Sequence, residues 1–258
     1  MSVPRERRLA VLRILSVAAF FGAWLAVTGG GLFTPFLLPS PVTVLLRLRQ
    51  EFLSGELLVA LRVTLLRMFG GYLLAALVGI PLGVGLARLK AVRWFFDPLL
   101  SLALPMPQVA FLPIFILWLG VFDASKVALI AFSAVFPIIV QSWAGTQSID
   151  KYLTWSALSL GVGPRALLWD IVLPAALPQI FTGLQVALPI ALITAVVTEM
   201  LMGGNGLGGS IISGMRFSNS PQLFAGIVAV GLVGYLMTKA MELLRRALLA
   251  WHQEALGG

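Results

Sequence analysis

Cysteine is absent from this chain of 258 residues, and histidine occurs only once, at position 252. A chain without cysteine forms no disulfide bond, no thiolate metal site and no cysteine nucleophile. His252 has no companion ligands near it in the sequence, so we assign it no chemistry. A membrane enzyme needs clustered histidines or acids beside a nucleophile or a metal, and the 10 acids here are scattered. The composition therefore argues against an enzyme.

Charged residues are also scarce in this chain. Charged residues make up 11% of the chain, against about a quarter in a typical soluble domain, whereas 59% of the residues are hydrophobic. Such a chain cannot cover its surface with polar groups in water, but an apolar exterior is stable in lipid. The basic residues lie at the edges of apolar runs and not in a patch with interleaved aromatics, despite a net charge of +8. We therefore expect membrane lipid, and no nucleic acid, as a partner.

Six runs that are nearly free of charge follow one another along the chain. Each is close to the ~17 to 25 residues that a spanning helix needs. They lie at about 14–34, 63–87, 99–120, 127–143, 175–201 and 221–244. The first run is longer than the apolar part of a cleaved signal peptide, so we retain it as a span. The sequence thus predicts a single all-α integral membrane domain over 1–258, with six transmembrane helices.

The basic residues predict the orientation, because Lys and Arg beside short loops are held on the cytoplasmic side. With the N-terminus inside, 12 of the 18 basic residues fall on the inner side, which predicts that both termini are cytoplasmic. The outer six are Arg47, Arg49, Arg62, Arg67, Lys126 and Arg216. Residues 41–55 place apolar side chains on one helical face and charged ones mostly opposite, which predicts an interfacial helix on the outer surface.

Glycine and proline occur inside the predicted spans. Gly79 and Gly83 form a small-xxx-small pair, which lets another helix approach closely. Three prolines are predicted to interrupt the third span and one the fourth: Pro105, Pro107, Pro113 and Pro137. Broken helices are tolerated where neighbouring protein or a water-lined cavity satisfies the freed carbonyls, so these prolines mark either simple kinks or a pathway.

The largest predicted cytoplasmic loop runs over residues 148–174. Asp150 is placed to cap a first short helix, and the Gly161-Val-Gly-Pro164 segment then breaks it. A second helix is predicted to begin at Pro164 and to end before Pro174. Such a helix–turn–helix on the membrane surface, apolar on its exposed side, is suited to docking a partner.

This loop resembles that of binding-protein-dependent ABC importer permeases. Their motif has the form E-A-A-x-x-x-G, nine residues, then I-x-L-P. Here the chain reads Trp155-Ser156-Ala157-Leu-Ser-Leu-Gly161, then nine residues, then Ile171-Val-Leu-Pro174. The resemblance continues through Leu38-Pro-Ser-Pro41, Asp97-Pro98, Pro105-x-Pro107, Glu199-Met200 and Gly206-Leu-Gly208. It is most similar to the subgroup that serves nitrate, sulfonates and taurine.

The resemblance implies a type I ABC importer permease with a cytoplasmic coupling helix, in a bacterial inner membrane. Its partners would be two ABC ATPase subunits, a second permease copy in a homodimer, and a periplasmic or lipid-anchored solute-binding protein. ATP and Mg would be held by the ATPase and no cofactor by this chain, which carries no G-x-x-x-x-G-K-[ST] phosphate loop. The residues that the resemblance assigns to ATPase coupling are Trp155, Ser156, Ala157, Leu158, Leu160, Gly161, Pro164 and Arg165.

The chain departs from the family motif at its first two positions. Trp155 replaces the glutamate and Ser156 the first alanine. Trp155 either anchors the ATPase by apolar burial, as tryptophans do at interfaces, or lies at the bilayer surface. Arg165 is either a charge at the rim of that interface or a solvated topology charge.

Five residues are candidates for the substrate pathway: Ser101, Met106, Gln108, Gln141 and Glu199. Burying a carboxylate at the bilayer centre costs ~2.5 to 3.5 kcal/mol on insertion scales. Glu199 must therefore have a partner or lie near a helix end, and the Gly203-Gly-Asn-Gly206 segment that follows is predicted to be an outer loop. Packing or gating fits Glu199 better than contact with an anionic substrate.

Two other classes compete with an ATP-driven permease. A secondary transporter or channel usually buries several ionisable residues, whereas here Glu199 is the ionisable residue nearest the membrane interior. A purely structural membrane subunit would not copurify with an ATPase. Neither class explains the motif in the 148–174 loop.

Overall fold

The computed structural model describes residues 3–31 and 33–249, and His252 lies outside this part of the chain. The described residues form helices and no strands. The helices are α1 (Val3–Gly29), α2 (Pro41–Ser54), α3 (Glu56–Arg88), α4 (Lys90–Ala103), α5 (Leu112–Leu119), α6 (Asp123–Gln147), α7 (Lys151–Ser159), α8 (Pro164–Met202), α9 (Leu207–Arg216) and α10 (Ser220–Leu248). A short 3₁₀ turn, Gln108–Phe111, precedes α5. The all-α fold predicted from the sequence is confirmed.

Four of the described helices, α3, α6, α8 and α10, are long and apolar enough to cross a membrane. The bent pair α4 and α5 would make a fifth span if it crosses as one unit. The apolar part of α1, Leu15–Gly29, is shorter than the others. The prediction of six spans therefore stays a prediction.

The predicted break in the third apolar run is confirmed. The chain bends by 99° between Lys90–Ala103 and Gln108–Leu119, and Pro105 and Pro107 lie at the bend. Proline lacks the N–H that a helix needs and disfavours helical geometry at the residue before it, so two prolines in three residues end α4.

Pro137 does not interrupt its helix, contrary to the prediction from the sequence. It lies inside α6, which is continuous from Asp123 to Gln147. Gly183 of α8 packs directly on this point, since a Cβ there would lie 3.2 Å from the Pro137 carbonyl oxygen. Close packing of two helices holds α6 together despite the missing hydrogen bond.

Glycines set the spacing between the central helices, as predicted for Gly79 and Gly83. A Cβ at Gly79 would lie 2.9 Å from Ile138, and one at Gly83 would lie 2.6 Å from the Ile139 carbonyl oxygen. Both distances are too short for a real side chain, so α3 and α6 are in backbone contact here. The core between α3, α6 and α8 contains Met68, Ile130, Ala134, Ala187 and Ala191.

The amphipathic segment 41–55 forms the predicted helix, α2. Ser40 caps it by accepting a hydrogen bond from the Thr43 N–H (3.2 Å). Gly55 ends it with a φ of 82°, a left-handed conformation that glycine adopts without a steric penalty. Apolar side chains such as Leu45 and Leu53 remain exposed, while Glu51 is buried in an ion pair with Arg47 (2.8 Å). An apolar exposed face agrees with an interfacial helix.

Candidate docking loop and a buried charged cluster

Helix α7 opens the 148–174 loop, and both of its ends are built from local hydrogen bonds. The Asp150 carboxylate caps it by accepting from the Tyr152 N–H (2.8 Å), as predicted. At the other end, Gly161 adopts a φ of 81° and donates its N–H to Leu158 O (3.0 Å). The Val162 N–H donates to Ala157 O (3.1 Å). These two bonds form a Schellman motif, which ends a helix sharply at a left-handed glycine.

The loop turns a row of apolar side chains outward. Leu160 is 84% exposed and Trp155 57% exposed, and the rings of Trp155 and Tyr152 meet edge to face at 5.6 Å. Leu158 is exposed on the same short helix. These four residues are the exposed ridge, an apolar surface of the kind that marks a contact site for a protein or a membrane.

Ala157 faces the other way. It is 5% exposed and packs with Leu167 and Val172 in a small core between α7 and the start of α8. Its packing contacts therefore lie inside the loop, and its assignment to coupling stays a prediction. The remaining residues assigned to coupling are exposed: Ser156, Gly161, Pro164 and Arg165.

The prediction that the second helix ends before Pro174 is wrong. The helix begins at Pro164 as predicted, but it continues through a π-helical segment, Leu167–Val172, into one 39-residue helix that ends at Met202. A π-turn widens the helix and shifts the bonding pattern, so Pro174 follows it near the start of the regular α-helical part, where its missing N–H costs little. The loop is thus rigidly continuous with α8.

The residues predicted to line a pathway are spread over three regions. Ser101 and Met106 are exposed at the end of α4 and in the bend, and Gln108 is half-buried at the 3₁₀ turn. Gln141 of α6 accepts a hydrogen bond from Gln179 of α8 (2.5 Å). Glu199 lies near the end of α8. Within the described residues, no hydrogen bond joins any two of the five, so their shared role stays a prediction.

Glu199 is fully buried, with 0% of its surface exposed. Thr64 donates its hydroxyl to the carboxylate, 2.8 Å from Oε2 and 3.0 Å from Oε1. The Gly208 N–H donates to Oε2 at 3.0 Å, and Arg67 Nη1 donates to Oε1 at 2.9 Å. The partner that the sequence required for this acid is therefore Arg67, supported by two uncharged donors.

Arg67 connects Glu199 to the neighbouring helix and loop. Its Nη2 lies 2.7 Å from Asp123 Oδ1 at the start of α6, and its Nη1 donates to the Asn205 carbonyl (2.6 Å). Lys126, also of α6, donates to the Gly203 carbonyl (3.0 Å). We call Thr64, Arg67, Asp123, Lys126 and Glu199 the charged cluster. It ties the 203–208 segment to α3, α6 and α8.

The sequence pointed to Glu199 but not to the rest of this cluster. The basic-residue pattern assigns Arg67 and Lys126 only to the outer set of topology charges. The available signal was the place of Arg67 inside the predicted run 63–87, because a cation within an apolar span requires a partner. Two glycines of the following segment also pack against Glu199. A Cβ at Gly206 or at Gly208 would collide with this side chain.

The exposed ridge and the charged cluster lie at opposite ends of the same helices. α6 begins at the cluster with Asp123 and ends at Gln147, directly before the loop. α8 begins in the loop at Pro164 and reaches the cluster at Glu199. Two packed helices therefore connect the two sites.

Several known proteins are similar to this chain in sequence. Residues 79–250 match the family described as the binding-protein-dependent transport system inner membrane component. The chain is 34% identical over 249 residues to the aliphatic sulfonates transport permease protein SsuC of Bacillus subtilis (strain 168), covering 96% of this chain and 90% of that protein. It is 32% identical over 252 residues to the taurine transport system permease protein TauC of Escherichia coli (strain K12), covering 96% and 92%.

A similar fold occurs among solved structures. A chain of the inward-facing MetNI methionine ABC transporter superposes with a TM-score of 0.67 at 18% identity, covering 76% of this chain and 98% of that one. At this identity the likeness shows the fold alone.

The helical fold and the motif-bearing loop define the permease component of an ABC importer. The chain belongs to the binding-protein-dependent transport system inner membrane component family. As a member it is an inner-membrane component, and the family implies an ATPase and a solute-binding protein as partners. Its relatives are transport permease subunits, which implies a non-catalytic role.

Proposed function

We propose that this chain moves a small solute with an anionic sulfonate group, such as an alkanesulfonate or taurine, inward across the bacterial inner membrane. Both termini face the cytoplasm, and two copies form the pathway between them. Two ATPase subunits, which hold ATP and Mg, dock on the loops of the two permeases. A periplasmic or lipid-anchored binding protein delivers the solute on the other side. The names of the two sequence relatives support the class of solute.

The exposed ridge carries the proposal for coupling. Leu160 and Trp155 present apolar surface on a helix whose ends are fixed by the Asp150 cap and the Gly161 turn. An ATPase surface that buries the ridge gains apolar contact, and Trp155 serves as the anchor in place of the family glutamate. Arg165, exposed four residues after Gly161, lies at the rim.

The continuity of the loop with α8 supports the mechanism. When the ATPases close on ATP, the loop moves with them, and the stem of Ala157, Leu167 and Val172 transmits this motion to α8. α6 and α8 then rock together, because Gly145 and Gly183 hold them in close contact. Such rigid-body movement alternates access between the two ends of the pathway.

The candidate pathway residues fit this picture in two groups. Ser101, Met106 and Gln108 surround the bend of α4 and α5, where exposed polar groups and freed carbonyls offer weak contacts to a solute. Gln141 and Gln179 form a neutral polar pair between the two moving helices. Glu199 acts with Arg67 in gating and does not contact the substrate.

The test replaces Leu160 by Asp, which changes an 84% exposed side chain and leaves the loop core intact. The matched control is Phe217→Asp, an 81% exposed apolar residue directly after α9. Both variants are coexpressed with the candidate ATPase. Copurification and ATP hydrolysis should fall at least tenfold in Leu160→Asp and stay near wild type in Phe217→Asp.

A second measurement addresses the solute. Proteoliposomes with the complete transporter should take up taurine or an alkanesulfonate only with ATP and the binding protein present. Uptake that continues without ATP would favour the ATP-independent transporter or channel. ATP-dependent uptake of an unrelated solute alone would keep the permease class and overturn the solute proposal.

A further inference from the structure

Helix α4 has three faces with different chemical character. Leu100 is buried in an apolar cluster with Phe136 of α6, so its face packs on the core. Phe95, Leu99 and Leu102 are exposed on a second face, which suits contact with lipid. The third face contains side chains at spacings of three, four and four residues, and we call them the polar strip: Lys90, Arg93, Asp97 and Ser101.

The polar strip extends far along a spanning helix. The Arg93 guanidinium lies 5.3 Å from the centre of the Trp143 ring, four residues before α6 ends at the docking loop. Because Leu100 shares its cluster with Phe136, α4 runs alongside α6 from this end towards its middle. The eight residues from Arg93 to Ser101 rise by about 12 Å. Ser101 therefore lies near the middle of α6, a helix that is long and apolar enough to cross a membrane.

A strip of this kind is unsuited to lipid. Lys90, Arg93 and Ser101 are exposed and Asp97 is half-buried, and within the described residues none of the three charged side chains is in an ion pair. Charged side chains at membrane depth are costly, and they face the interior of a bundle or a water-filled cavity. An open cavity of about 580 Å³ follows the strip and is lined by Lys90, Arg93, Trp94, Asp97 and Pro98. Since the apolar face of α4 is available for lipid, the strip is the face that suits water.

The charges of the strip are unevenly distributed. Lys90 and Arg93 lie within one turn at the docking-loop end, whereas Asp97 lies one turn deeper. Trp143 holds the Arg93 guanidinium by a cation–π interaction, and no described residue accepts a hydrogen bond from its N–H groups. A guanidinium with free donors pairs with two oxygens of an oxyanion at once, and an ammonium beside it adds a second charge. A sulfonate presents several oxygens and a negative charge, which suits this pair.

We propose that the polar strip lines the half of the solute pathway next to the docking loop, and that Lys90 and Arg93 form an exit site for the sulfonate group. This inference rests on the proposed function, because it takes the solute to be a sulfonate. Ser101 is the uncharged contact at the deep end of the strip. Asp97 repels an anion from the middle of the strip, which keeps the contact weak enough for the solute to leave. The permease itself thus selects anions after the binding protein has delivered the solute.

The first experiment uses the absence of cysteine, because a single substitution gives the permease one thiol. Ser101→Cys on the strip is compared with Leu99→Cys on the apolar face, where 50% of the side chain is exposed. The full-length permease in nanodiscs is treated with the anionic reagent sulfonatoethyl methanethiosulfonate or with its cationic trimethylammonioethyl analogue, and mass spectrometry follows the labelling. Ser101→Cys should react about tenfold faster than Leu99→Cys, because a thiol in lipid does not meet a charged reagent. Equal rates would show that lipid or protein covers the strip and would overturn the proposal.

The charge of the reagent tests the exit site. The ratio of the anionic to the cationic labelling rate at Ser101→Cys cancels the reactivity of the thiol itself. In Lys90→Gln/Arg93→Gln this ratio should fall about tenfold, because a cationic mouth raises the local concentration of anions. The matched control is Lys151→Gln/Lys239→Gln, which removes two exposed lysines of α7 and α10 and should leave the ratio unchanged. An unchanged ratio in the strip variant, or an equal fall in the control, would overturn the exit site.

Uptake by the complete transporter separates this inference from the proposed function. Lys90→Gln/Arg93→Gln should lower the maximum rate of ATP-dependent taurine uptake about fivefold and leave the half-saturating concentration of the loaded binding protein unchanged, because the strip acts after delivery. Arg93→Lys keeps the charge and should retain most of the rate, and size-exclusion profiles confirm that all variants are folded. A full uptake rate in the glutamine variant would overturn the exit site. The expected labelling without uptake of any sulfonate by wild type would support the anion-selective strip and overturn the proposed solute.

Discussion

Removing Arg67 should destabilise this permease more than neutralising Glu199. In wild type, the Glu199 carboxylate accepts from Arg67, Thr64 and Gly208 at 2.8 to 3.0 Å and is fully buried. Arg67 has a second acid, Asp123, at 2.7 Å. Arg67→Met therefore leaves a buried carboxylate without its counter-ion, whereas Glu199→Gln leaves an arginine that is still paired.

The magnitude follows from the burial of the pair. Breaking a buried ion pair by removing one partner costs about 3–5 kcal/mol, because the other charge stays buried without compensation. We expect Arg67→Met to cost an amount in this range and Glu199→Gln about 1–3 kcal/mol, the cost of a hydrogen-bond network that is only partly satisfied. In Arg67→Met/Glu199→Met no charge is stranded, so its cost should be less than the sum of the single-residue costs.

The assay is thermal unfolding of the purified protein in detergent, followed by fluorescence-detected size exclusion. Arg62→Met is the matched control, since Arg62 is exposed and has no ion pair in the described part of the chain. The reasoning fails if Arg67→Met unfolds at the same temperature as Arg62→Met. It fails equally if the effects of the two single substitutions simply add in the double variant.

Two further predictions concern glycines. Gly161→Val should destabilise the folded conformation of the docking loop by about 1–2 kcal/mol, because a β-branched residue resists the φ of 81°. Gly161→Asn should retain most of the ATPase binding, because asparagine tolerates this conformation better. Binding of the ATPase to the purified permease measures both effects. Retention of ATPase affinity by the valine variant would refute the turn argument. Gly83→Ala should lower the melting temperature of the permease, because a Cβ there would lie 2.6 Å from the Ile139 carbonyl oxygen. Gly85→Ala is the control and should be neutral, because its Cβ would lie 3.5 Å from Val92. Equal melting temperatures of the two variants would contradict the argument from packing.

Local signals predicted the parts of the fold that depend on a few neighbouring residues. Asp150 caps α7 and Gly161 ends it, because each acts on backbone groups within three or four positions. Pro105 and Pro107 break the third apolar run for the same reason. The spacing of Gly79 and Gly83, which lack a Cβ, also predicted a close helix contact, but it did not predict which helix makes the contact.

The local signals failed where packing between distant segments outweighed them. Pro137 and Pro174 lie inside continuous helices, because Gly183 packs against the first and a π-turn precedes the second. In each case the neighbour that decides the outcome lies in another turn or another helix.

The amino-acid sequence by itself determined the membrane environment, the helical class and the motif that marks an ABC importer permease. These follow from composition, from the period of apolar residues and from spacings within about 20 residues. Only the tertiary structure decided the partners of Glu199, since Thr64 and Arg67 are more than 130 positions away. The sequence predicts that a buried carboxylate needs a counter-ion. Which cation of the chain fills this role depends on the packing of α3, α6 and α8.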